Sequence, residues 1–147
     1  MLQFKRIKQK AKKLQINLAE KVVQPHLTAI TKLNTEKQLF EKGVGVDGKK
    51  LEPPYARSTR RIKAKKGLPV NRVTLFDTGE LHQSFKATAM QTAIVVEGFR
   101  TSAGFDVAQH LRKKYGQYEG LTEESLEAIR KIIRQEMQKH FRESLLQ

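Results

Sequence analysis

The chain has 147 residues, 29 Lys and Arg against 15 Asp and Glu, a formal net charge of +14, and no cysteine. A single domain of this length buries roughly two-thirds of the surface its unfolded chain exposes and needs no staple, while the missing cysteine excludes disulfides, thiolate metal sites and cysteine nucleophiles. His26, His82, His110 and His140 lack metal-ligand spacing, no apolar run approaches the roughly 18 residues of a membrane span, and the N-terminus lacks the apolar centre of a secretory signal, so a soluble intracellular protein without cofactor is expected.

The positive charge is concentrated. Residues 1–24 hold seven Lys and Arg against one acid, and residues 49–66 hold eight against Glu52, so these two segments carry almost all of the excess. Phe4, Ile7, Ala11, Leu14, Leu18 and Val22 recur at spacings of three and four, which predicts an amphipathic helix with a basic back. Pro25 is expected to kink or end it. Leu27, Ile30, Leu33, Leu39 and Phe40 then suggest a second helical stretch closing at Gly43, with Thr35 and Gln38 at capping-box spacing for a restart. Residues 1–42 are thus a helical N-terminal region.

Residues 43–69 show no sustained period and are broken by four glycines and three prolines. This predicts a long basic loop, with a short helix around 58–66; loops beyond about 12–15 residues in compact domains tend to be functional or mobile. It holds Lys49, Lys50, Arg57, Arg60, Arg61, Lys63, Lys65 and Lys66, the candidate contact residues for an acidic partner, either nucleic acid or an acidic protein surface. The plain alternative is a solvated basic face.

Residues 70–99 read as a β-rich core. Residues 73–76 suggest one strand, and 84–90 and 93–99 suggest a hairpin turning near Gln91-Thr92. A turn at Ser102-Ala103-Gly104 precedes a helix holding Val107, Ala108 and Leu111, stopped near Tyr115-Gly116. The last helix is capped by Thr122, with Glu123 and Glu124 at its positive end. Its stripe of Leu126, Ile129, Ile133, Met137, Phe141 and Leu145 reads as core or subunit interface. Residues 104–147 form a helical C-terminal region, and no repeat or composition break divides the chain, so 1–147 is one domain. The expected fold is α+β, with long N-terminal and C-terminal helices packed on a small antiparallel β-sheet and a long basic loop.

Asp77-Thr78-Gly79 after an apolar run is the signature of aspartic proteases, in which two carboxylates share a proton and activate water; a single copy requires a dimer. Glu80 adds a negative charge where that family has a small residue, the companion apolar segment is missing, and both ends of the chain are helical. A structural reading accounts for the same residues: Asp77 and Glu80 have capping-box spacing, and Leu81 and Phe85 lie four apart on one helical face. No phosphate loop, nucleophile elbow or carboxylate metal cluster is present. Nor is there an aromatic stacking platform or a recognition-helix signature, although segments 1–24 and 49–66 leave a nucleic-acid-binding module as an alternative function.

In order, the chain presents a helical N-terminus, GVGVDGKKLEPP over 43–54, Tyr55-Ala56-Arg57-Ser58-Thr59, a basic stretch, LFDTGELHQSF over 75–85, a hairpin, and Gly120-Leu121-Thr122 opening a terminal helix. It resembles the tailed-phage virion morphogenesis and tail completion proteins, whose pattern Leu-x-x-Thr-Gly-x-Leu-x-x-Ser-φ, φ being a large apolar residue, is matched by Leu75, Thr78, Gly79, Leu81, Ser84 and Phe85. The resemblance implies a non-enzymatic subunit, homo-oligomeric as a ring at the neck or head-proximal tail end. Its partners would be other neck, portal or tail proteins. The basic loop would face packaged DNA or an acidic collar. It would be found in the virion, and in the host cytoplasm during assembly.

Overall fold

The computed structural model describes residues 21–90, 93–102 and 104–145. The amphipathic helix expected over 1–24 lies outside them except for 21–23, which are helical and bury Val22. Pro25 does not end the helical region. It sits at the start of a 3-10 turn, Gln24–His26, where a missing N–H costs little. The chain continues as α1 (Leu27–Lys32) and then, without interruption, as a π-helical stretch over Leu33–Lys42. Gly43 closes it in the left-handed region at φ 64°, where expected. The restart at Thr35 does not occur: its hydroxyl donates back to the carbonyl of Thr31 at 3.1 Å, as buried helix-interior threonines do.

The expected loop over 43–69 is more structured than its composition suggests. Val44 bridges Lys50 around a turn, and the Leu51 amide donates to the Gly43 carbonyl at 2.9 Å, which carries Leu51 into the core. Within the same segment lies α2 (Arg57–Lys65), a nine-residue helix close to the short one expected at 58–66.

Residues 73–76 are not a strand. Val73, Thr74 and Leu75 are buried, Leu75 adopts φ 52°, and the amides of Thr74 and Leu75 donate to the Tyr55 hydroxyl at 3.0 and 3.1 Å instead of to a neighbouring strand. The apolar, β-branched character of the run reflects burial, not ladder pairing. After it come α3 (Glu80–Ser84) and the expected hairpin, β1 (Phe85–Ala89) and β2 (Ile94–Gly98), antiparallel from Phe85 opposite Gly98 to Ala89 opposite Ile94. The amide of Met90 donates to the carbonyl of Ala93 at 2.7 Å, while the tip at Gln91-Thr92 falls outside the described residues. Gly98 is required by contact: a Cβ there would lie 2.7 Å from the Phe85 ring.

A second, two-residue ladder, β3 (Thr101–Ser102) with β4 (Phe105–Asp106), was not expected. Asp106 caps α4 (Val107–Tyr115) by accepting from the Gln109 amide at 2.8 Å. The chain then returns through the interior, with Tyr118 fully buried and its hydroxyl donating to the Ala108 carbonyl. It enters α5 (Glu123–Leu145) with Thr122 Oγ1 accepting from the Ser125 amide, the expected cap.

The architecture is α+β, with helices flanking a small antiparallel β component. α1 packs on β1, and Ile30, Leu39, Leu75, Leu81, Phe85 and Tyr118 form the centre of the core. Asn34 and Gln38 stitch the helical N-terminal region to the returning chain: Asn34 donates to the carbonyls of Tyr118 and Gly120, and Gln38 donates to Gly120 and accepts from the Thr122 amide. The stripe on α5 is core only in its first half. Ile129 is buried and Leu126 and Ile133 partly so, whereas Met137 and Phe141 are 40% and 53% exposed.

Candidate functional site

The eight basic residues expected to form one contact surface separate into distinct environments. Lys49 and Lys50 are exposed on the turn after Asp47. Arg57, Arg60, Arg61 and Lys65 are exposed on α2, and no acidic group pairs with them among the described residues. Lys66 lies just beyond the helix and is tied to Asp77 at 2.5 Å. Lys63 is the correction: it points inward with only 4% of its surface exposed. Its ammonium donates to the Phe76 carbonyl and sits 4.8 Å above the Tyr55 ring, so a carbonyl and an aromatic face replace water around the charge.

Tyr55 and Lys63 together fasten α2 to the body. The Tyr55 hydroxyl takes the amides of Thr74 and Leu75, and the Lys63 ammonium takes the carbonyl of the following residue, Phe76. A segment whose backbone groups have no strand partner is thereby satisfied in part by two side chains, one on α2 and one just before it. Tyr55 is consequently not free to stack on a base.

The corner over 75–85 is built differently from the capping box its spacing suggests. The N-cap of α3 is Gly79, at φ 88°, with no side-chain cap. Asp77 turns to Lys66, whose hydrogen bond holds its carboxyl below the usual carboxylate range, and Glu80 turns to Arg100. Two cations within reach outcompete the helix amides for these carboxylates. Leu75, Leu81 and Phe85 are buried together, and Ser84 Oγ donates to the Leu81 carbonyl at 2.6 Å. Thr78 is exposed, its hydroxyl accepting from the Glu80 amide at 3.5 Å. The strand that would carry a protease aspartate is replaced by the left-handed turn at Leu75.

His82 was not singled out by its sequence context, yet it joins the same corner. Its Nε2 donates to the Thr74 carbonyl at 2.9 Å, its ring meets Phe76 and Phe85 edge-on, and burial holds its pKa below the ordinary imidazole range. At the hairpin strand that faces Phe85, Arg112 grips Glu119, whose carboxylate accepts from the Gly98 amide at 2.8 Å and secures the end of β2. Among the described residues no group of three or more His, Asp or Glu is placed to hold a metal, and no helix is long and apolar enough to cross a membrane.

Comparison of the chain with protein-family models, with curated proteins and with solved structures returned no match.

Proposed function

We propose that this chain is a structural, non-enzymatic subunit of a tailed-phage virion, acting in head-to-tail joining or tail completion as part of a ring at the neck or head-proximal tail end. The observation that carries the reading is the convergence of the motif residues. Leu75, Leu81 and Phe85 share one buried cluster, Gly79 forms the turn into α3, and Ser84 closes its last turn. A pattern that marks a phage family by resemblance is here a packed joint, as a structural motif should be.

The surface suits a subunit that completes its packing against neighbours. Phe99, Phe105 and Met90 are 64%, 54% and 60% exposed, and α5 adds Ile132 and Met137 at 41% and 40%. Large apolar side chains left in water are favourably buried against other protein surfaces. The partners would be further copies of the chain and the portal, neck or tail proteins beside it, in the virion and, during assembly, in the host cytoplasm.

Electron microscopy and light scattering of the purified protein, alone and with portal or tail proteins, should reveal closed rings. A protein that stays monomeric in every mixture and is missing from purified virions refutes the proposal.

A further inference from the structure

We propose that the outward face of α2 binds the phosphodiester backbone of a nucleic-acid duplex, independently of base sequence. Arg57, Arg60, Arg61 and Lys65 are all exposed. At 3.6 residues per turn they fall within an arc of about 140°, centred opposite Thr59 and Lys63. The inward pair fixes the helix: Lys63 is buried and bonded to the Phe76 carbonyl, and Thr59 is half-buried. The four cations are therefore held on a fixed platform rather than on a free loop.

The surroundings reinforce the charge. Residues 53–76 contain seven Lys and Arg and no Asp or Glu. The flanking Asp77 is already taken by Lys66. From Arg57 to Lys65 the axis advances about 12 Å, and a duplex carries one phosphate per roughly 3.4 Å of axis on each strand. A row of four cations on this helix thus matches three or four phosphates in length and in charge.

The same face argues against other polyanionic partners. Protein interfaces are enriched in aromatic residues alongside arginine, whereas the outward face of α2 has no aromatic side chain and offers Ile62 as its single large apolar group. Single strands are held by stacking on aromatic rings, and the nearest ring, that of Tyr55, is covered by Lys63. A duplex needs neither. This assignment does not depend on the virion proposal: a failure to bind duplex would leave ring assembly untouched.

The test is fluorescence anisotropy of the full chain with a labelled duplex of about 24 base pairs, titrated from low to high KCl. Each phosphate contact contributes about 0.9 to the slope of log affinity against log salt, so replacing Arg57, Arg60, Arg61 and Lys65 with Gln should flatten the slope by roughly 3 to 4 units. Because these side chains have no partner among the described residues, circular dichroism should be unchanged. A control with the same loss of charge at Lys113, Lys131, Arg134 and Lys139 should keep the steep slope. Scrambling the base sequence should change nothing. Duplex DNA and duplex RNA are compared side by side, and whichever binds more tightly identifies the source, either order supporting the contact provided the α2 variant flattens its slope. An unchanged slope in the α2 variant, an equal loss in the control, or equal competition by poly-glutamate of matched charge would overturn the proposal, the last by making an acidic protein the partner.

Discussion

Tyr55→Phe removes one oxygen and leaves two buried amides without an acceptor. Thr74 and Leu75 donate to that oxygen at 3.0 and 3.1 Å, and the two residues are respectively 0% and 8% exposed. An unsatisfied buried donor costs about 1–3 kcal/mol. Tyr55 is itself only half-buried, so some water can follow the loss, and the two amides together should cost about 2–3 kcal/mol. With a urea dependence of about 2 kcal/mol per molar, the unfolding midpoint should fall by roughly 1–1.5 M. The fall in melting temperature should be of the order of 4–10 °C. The amides of Thr74 and Leu75 should also lose protection against hydrogen exchange before the rest of the core. A loss of stability below about 0.5 kcal/mol, the range of ordinary surface substitutions, would show that the hydroxyl does not replace a strand partner for this segment.

Gly98→Ala would place a methyl 2.7 Å from the Phe85 ring and should destabilise by about 1–3 kcal/mol, read by the same urea titration; an unchanged midpoint would mean that β1 and β2 are not in the register described. His82 is favoured in its neutral form by the fold, so its contribution is complete above pH 6.5, its unperturbed value, and declines as pH falls through and below it. His82→Gln should flatten that acid-side decline in melting temperature, and an equally steep decline would assign it to other groups. Asp77→Asn loses an exposed ion pair with Lys66 and no helix cap, so stability should change by less than about 1 kcal/mol; a larger loss would restore the capping role that its spacing suggests.

The helices and the hairpin were legible in the sequence because each carries a local signal. Gly43 stops one helix, Thr122 starts another, and β-branched residues after Ala93 mark β2. What was hidden depends on partners distant along the chain. Residues 73–76 have the composition of a strand, but their amides are taken by a tyrosine about twenty residues earlier. Asp77 has the spacing of a cap, but Lys66 is folded within reach of it. Asn34 and Gln38, polar residues on an apolar stripe, carried the one overlooked hint that the helix interior meets backbone carbonyls. In the basic segment, eight cations looked equivalent; only the helical period, applied from the correct start at Arg57, separates Lys63 from the four that face outward.

That separation has a consequence for how the protein can change over time. On α2 the residues that hold the helix and the residues that face the surroundings are different residues, on opposite faces of it. Outward charges can be gained, lost or exchanged while the anchor stays intact, so the positive charge of this face is free to drift between variants that share one fold. Lys63 and Tyr55 have no such freedom, since altering either moves the whole surface relative to the body. Variation in natural or selected variants should therefore accumulate at Arg57, Arg60, Arg61 and Lys65, and avoid the two residues beneath them.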